Sequence, residues 1–268
     1  MRSIPATCSP PIPTSNRHGT AMTTPVSLTS TKMNLGLRQT ENWIDDVLLP
    51  RANALGRLHF CACLPYPLLP LGVRRFEKTG LTTGAQNVWC EAGAVTGEVS
   101  AGLLAEIGCT HVMVGHAERR RLFAEDDRLV ARKARAASAA GLTPVICVGE
   151  QERAGRTETV TQVRRQASTA LRDLPAGAAA VVLYEPAWAI GSAQTAEPHQ
   201  AAAVLSALQQ ETPDHVNPTL LYGGAVTAGT YSSLRRLAPW DGVALGRAAQ
   251  DAAMLDDVLG ELLEPARP

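Results

Sequence analysis

The sequence predicts an α/β fold, a closed (β/α)8 barrel in a single domain, and two observations carry that prediction. From Val26 onward, short apolar runs alternate with longer segments of helical period, and no change of composition marks a linker. Eight such units in about 240 residues fit a closed parallel barrel, which takes about 250, better than an open doubly wound sheet.

The strands are expected at 26–31, 58–63, 82–88, 111–114, 143–148, 180–184, 219–222 and 242–245, each a short apolar or β-branched run. Helices are expected at 42–55, 100–107, 126–140, 157–174, 198–212 and 249–262. The third of these shows its stop signal plainly, a basic, alanine-rich segment that ends at Gly141. Residues 1–25 are rich in Pro, Ser and Thr and lack an apolar core of signal-peptide length, so they read as a disordered tail, with Met22 a candidate initiator. The barrel domain is expected to span 26–264.

Lys plus Arg equals Asp plus Glu at 25 each, so the overall field gives no argument for nucleic acid or an anionic membrane. No stretch of eighteen consecutive apolar residues occurs, and no membrane span is expected. The six cysteines, Cys8, Cys61, Cys63, Cys90, Cys109 and Cys147, are scattered in a chain too large to need stapling and lack paired metal-ligand spacing. They read as reduced thiols in a cytoplasmic protein, with Cys61 and Cys63 as small buried hydrophobes on one face of a strand.

In a barrel of this kind the chemistry sits at the carboxyl ends of the strands. The apolar run at 180–184 ends in Glu185 and passes into a mostly apolar, glycine-bearing loop, the pattern of a base under a lid that shields a reaction from water. Lys32, beyond the first strand, is a point charge able to hold a phosphate or an enolate. His116 follows Gly115 at the start of a short polar helical turn, where the helix dipole disfavours the cation and leaves a neutral hydrogen-bond donor. The glycines of Gly223-Gly224-Ala225 and of Gly246-Arg247 let backbone N–H groups approach an anion, and Gly191 and Ser192 in the lid can join that cradle. Each residue also has an ordinary reading: a solvated carboxylate, a solvated lysine, a structural histidine, glycines used for turns.

Seven motifs in order tip the balance: Lys32-Met-Asn34, Gly84-Ala-Gln-Asn87, the run 93–100, Gly115-His-Ala-Glu-Arg-Arg120, Cys147-Val-Gly-Glu150, the run 184–191 and Tyr222-Gly-Gly224. Through them the chain, from about Ser27 to Leu263, resembles the triosephosphate isomerase family, whose fold is the TIM barrel. The resemblance implies an isomerase that interconverts dihydroxyacetone phosphate and glyceraldehyde 3-phosphate through an enediolate, a reaction of glycolysis and gluconeogenesis, with no metal or organic cofactor. It implies Glu185 as the base, His116 as the electrophile and Lys32 as the cation beside the oxyanion. It also implies Glu118 as a supporting acid that organises Lys32 or a partner's loop, and a homodimer whose contact loop carries Thr96 and Glu98.

The chain departs from the family pattern at several of these positions. Ser30 stands two residues before the lysine where Asn is common, Ala117 and Ala225 replace serines, and Arg247 replaces the second glycine of the last loop. Arg247 offers a fork of donors to a phosphate. Thr29-Ser30 and Gly246-Arg247 are similar to the erythrulose-phosphate isomerase branch, which makes a four-carbon ketose phosphate the alternative substrate. A barrel that binds sugar phosphates without catalysis is the remaining alternative, and it would be marked by loss of the base or the electrophile.

Overall fold

The computed structural model describes residues 25–192 and 194–264. The expected tail lies outside them except for Pro25. Eight parallel strands close into a barrel in sequence order: β1 Val26–Ser30, β2 Cys61–Leu64, β3 Thr82–Ala85, β4 His111–Val114, β5 Thr143–Val148, β6 Ala179–Tyr184, β7 Asn217–Tyr222 and β8 Gly242–Ala244. Closure is made at Leu28, which is in register with Cys61 on one side and Ala244 on the other.

Around the barrel run α1 Leu37–Asn42, α2 Ala52–Arg57, α3 Leu69–Phe76, α4 Ala101–Ile107, α5 Ala117–Phe123, α6 Asp127–Ala139, α7 Arg156–Leu171, α8 Pro198–Glu211, α9 Thr230–Arg235 and α10 Ala252–Leu263. Among the described residues no helix is long and apolar enough to cross a membrane. The apolar residues form two shells. Leu28, Cys61, Cys63, Met113, Val181 and Leu183 fill the barrel interior, while a larger layer including Ile44, Leu69, Leu104, Val163 and Leu205 packs between sheet and helices. Cys61 and Cys63 thus share a buried face, as alternation along a strand requires.

The differences from the sequence expectation have physical causes. Strand β2 starts three residues late because His59 turns through φ 48° before the ladder begins. Strand β3 stops at Ala85 because Gln86 leaves the ladder to make side-chain bonds described below. The helix expected at 42–55 is helical from 37 to 57 but interrupted by Pro50, which has no N–H to donate; just before it, the Leu49 N–H slips to Ile44 O and the turn Trp43–Leu48 widens. Helix α3 was masked in the sequence by Pro70 and Gly72. Pro70 lies in the first turn, where no N–H is needed, and a Cβ at Gly72 would fall 2.6 Å from Leu64 Cδ1.

Candidate functional site

The chain leaves β1 and turns at Lys32 with φ 50°, a left-handed conformation uncommon outside glycine. Two side chains hold that turn. Ser30 Oγ accepts the Lys32 N–H at 3.2 Å, and Gln86 Nε2 donates to Lys32 O at 3.1 Å and to Cys63 O at 3.0 Å. The ammonium of Lys32 then reaches Glu118 Oε1 at 2.5 Å. Burial pushes the Glu118 carboxyl up, but the Lys32 hydrogen bond together with the positive charge around it holds the group below its ordinary range.

His116 caps α5. Its Nδ1 accepts the Glu118 N–H at 3.2 Å, so the ring proton of the neutral imidazole is assigned to Nε2. That Nε2 lies 3.5 Å from Glu185 Oε2. Gly115 makes the placement possible: it turns at φ 69°, and a Cβ there would fall 2.8 Å from both methyls of Val130.

Glu185 sits one residue beyond β6, its N–H bonded to Val148 O at 2.8 Å, and it is 8% exposed. Oε2 has no hydrogen-bond partner among the described residues, so a buried carboxylate oxygen stays available to a ligand. Gly149, at φ 155°, lies flat against it; a Cβ there would stand 2.1 Å from the Glu185 carbonyl oxygen.

The lid begins with Pro186 and the 3₁₀ turn Ala187–Ala189. Its first hinge is tied to Glu150, which accepts Trp188 Nε1 at 2.8 Å and Tyr184 Oη at 3.3 Å. Burial raises the Glu150 carboxyl, with the Trp188 bond opposing it. Arg153 stacks over the Trp188 ring, 4.7 Å from its centroid. At the second hinge, the Ala196 N–H donates to Tyr222 Oη at 2.9 Å.

A cavity of about 420 Å³ brings the predicted residues together: Ser30, Lys32, His116, Glu185, Gly191, Ser192, Gly223, Gly224, Ala225, Gly246 and Arg247 all line it. Three of the expected phosphate ligands are engaged elsewhere in this conformation. The Ser192 hydroxyl donates to Ala189 O at 3.1 Å or Gln194 O at 3.1 Å, and its N–H bonds Ala189 O at 3.1 Å. The Gly223 N–H donates to Tyr184 O at 2.8 Å, and Arg247 Nη2 donates to Gly191 O at 3.0 Å and Ser192 O at 3.2 Å. Thr96 and Glu98 lie outside the cavity lining, on the exposed loop 91–98 between β3 and α4.

Sequence reasoning had not singled out Gln86, Gly149, Glu150 or Arg153 for a role. Gln86, Gly149 and Glu150 lie inside recognised motifs, which was the available signal; Arg153 lies in none.

Fold and site together define the class: a (β/α)8 barrel carrying a carboxylate, an imidazole and an ammonium in one cavity at the carboxyl ends of its strands. Residues 25–261 match the family model described as triosephosphate isomerase. The chain belongs to the triosephosphate isomerase family. It is 44% identical over 210 residues to the triosephosphate isomerase of Bordetella pertussis, covering 75% of this chain and 83% of that one. It is 39% identical over 248 residues to that of Alkalilimnicola ehrlichii, covering 85% and 97%. It is also 36% identical over 254 residues to the L-erythrulose-1-phosphate isomerase of Pectobacterium atrosepticum, covering 87% and 93%.

Proposed function

We propose that this chain interconverts dihydroxyacetone phosphate and glyceraldehyde 3-phosphate by proton transfer through an enediolate. The observation that carries the reading is the meeting of Glu185 Oε2 and His116 Nε2, 3.5 Å apart in a cavity that Lys32 also lines. Glu185 takes the proton from the carbon beside the carbonyl, and the electron pair moves onto the carbonyl oxygen. The Nε2–H of His116 and the ammonium of Lys32 face that developing charge, where preorganised donors contribute most. His116 gives its Nε2 proton to that oxygen and takes up the proton of the hydroxyl on the neighbouring carbon. Glu185 returns its proton to the former carbonyl carbon, and the substrate emerges isomerised. The lid keeps water from the enediolate, which would otherwise lose its phosphate. The phosphate sits against the backbone of Gly224, Ala225 and Gly246, with Gly191 above it. The reading uses no metal or organic cofactor.

The decisive test is Glu185→Asp, which withdraws the carboxylate by one methylene. Turnover should fall about a hundredfold or more with binding little changed; undiminished turnover would remove Glu185 from the role of base.

A second reading, isomerisation of L-erythrulose 1-phosphate or D-erythrulose 4-phosphate, is favoured by Thr29-Ser30 and Gly246-Arg247 and by the likeness to the Pectobacterium protein. Side-by-side turnover of the three- and four-carbon substrates separates the two, and a strong preference for four carbons would displace the first. A barrel that only binds sugar phosphates is disfavoured by the presence of base, electrophile and cation together.

The working unit in this reading is a homodimer built around Thr96 and Glu98. Met33 is 95% exposed beside the strained Lys32, and Leu122 and Phe123 are 62% and 63% exposed, apolar surface of the kind a partner covers. Free thiols at Cys61, Cys63, Cys90, Cys109 and Cys147 suit a cytoplasmic setting. Sedimentation at micromolar concentration tests the dimer directly.

A further inference from the structure

We infer that Arg247 is a positioning residue that clasps the lid over the cavity, rather than a ligand of the substrate's phosphate. The inference rests on the isomerase reading for the location of the site, but its geometry stands apart from the chemistry.

Arg247 lies in the 3₁₀ turn Gly246–Gln250 that follows β8, while the lid follows β6. Its Nη2 bridges two successive lid carbonyls, Gly191 O at 3.0 Å and Ser192 O at 3.2 Å. The guanidinium therefore joins loops from two strands that are not neighbours in the barrel. Gly191 turns at φ 75°, a left-handed conformation that glycine adopts freely. The other two lid anchors hold its ends: Glu150 binds Trp188 at the first hinge, and Tyr222 binds Ala196 at the second. Arg247 holds Gly191 and Ser192 between them.

Charge-assisted bonds from a planar guanidinium suit two acceptors side by side, whereas a lysine offers a point charge and a glycine would leave both carbonyls to water. The consequence is thermodynamic. A lid already seated has lost part of its conformational freedom before ligand arrives, so a ligand that requires closure binds more tightly. The same guanidinium nitrogen cannot serve a phosphate while it bridges the lid.

The test compares the wild-type full chain with R247A and R247K. Hydrogen exchange over the lid peptide 186–196 is measured without ligand, and binding is measured for inorganic phosphate and for 2-phosphoglycolate, whose carboxylate imitates the enediolate charge. For R247A we expect lid exchange faster by roughly three- to tenfold and 2-phosphoglycolate binding weaker by a similar factor, the discount for exposure included. Inorganic phosphate should change by less than twofold, R247K should fall between, and the melting temperature should hold because the side chain is exposed. Unchanged lid exchange overturns the inference, as does an equal loss of affinity for both anions, which would make Arg247 a phosphate ligand. Lid exchange in the free protein needs no turnover, so this result and the Glu185→Asp result fail independently.

Discussion

Gly223 and Glu185 are packed so closely that a Cβ on Gly223 would stand 2.7 Å from Glu185 Cγ. The Gly223 N–H donates to Tyr184 O at 2.8 Å, so the loop after β7 is pinned to the residue that precedes Glu185. Glycine here lets one backbone serve as the wall against which the proposed base is aimed.

Gly223→Ala should accordingly push the carboxylate away from His116. A displacement on the order of 1 Å is worth about a hundredfold in turnover, so kcat should drop roughly ten- to a hundredfold, more than KM rises. Steady-state kinetics with thermal melting checks this; a variant that melts normally with unaltered kcat would show that Glu185 is aimed by something else.

Lys32 depends on Glu118 as its anion, and the dependence has a pH signature. Burial pushes the folded carboxyl of Glu118 up, but the Lys32 hydrogen bond and the surrounding positive charge together hold it below its ordinary range. Folding is then favoured above the ordinary carboxylate pKa, and that contribution is lost as the pH falls through the lower folded value. Glu118→Gln should flatten the acid side of the stability curve and lower kcat through a less well-held Lys32. Urea midpoints between pH 3 and 7 should show the wild type losing more than the variant; parallel curves would count against the pair.

The barrel was legible because most strands are compact apolar or β-branched runs closed by a turn, so the eight strands were found with small boundary shifts. That Lys32, His116 and Glu185 line one cavity was legible because strand ends converge in a barrel, and a motif at each end marks its place. What the sequence hid depends on three-dimensional proximity. Lys133 reads as one more cation on a basic helix, yet it is 1% exposed and bonded to Glu125 Oε1 at 2.5 Å and Asn87 Oδ1 at 2.8 Å. Helix α3 has an amphipathic period but is disguised by Pro70 and Gly72, and α9, at six residues, is too short to show one. Arg247 offered a fork of donors, but only the structure shows lid carbonyls in front of it.

Asp241, which precedes β8, gives the opposite pH signature to Glu118. Burial raises its carboxyl to about 6, against the lowering effect of the Leu220 N–H that it accepts at 2.8 Å. A raised folded pKa means that stability is fullest below the ordinary carboxylate value and declines as the pH climbs through about 6. Asp241→Asn keeps an acceptor for Leu220 without the buried charge. It should stabilise the protein above pH 7 by at most about 3 kcal/mol and leave it unaltered near pH 3. Chemical denaturation at the two pH values decides it, and a variant no more stable at pH 8 would mean that the charge is better solvated than its burial implies.

Tyr222 ties the closing end of the lid to the barrel, and the tie is a neutral one. Burial raises its hydroxyl to about 12, so the group stays protonated at working pH while its oxygen accepts the Ala196 N–H at 2.9 Å. Ala196 is 1% exposed, so Tyr222→Phe leaves a buried donor without its acceptor, at a cost of about 1–3 kcal/mol. Most of that cost falls on the seated lid, since the donor can reach water once the lid opens. The seated population should therefore shrink, and kcat/KM should fall by roughly five- to a hundredfold, while the melting temperature moves by only a few degrees. Combining Tyr222→Phe with Arg247→Ala tests whether the two anchors are coupled: a combined loss smaller than the sum of the single effects shows that each anchor holds only while the other does, and strict additivity shows that they hold the lid independently.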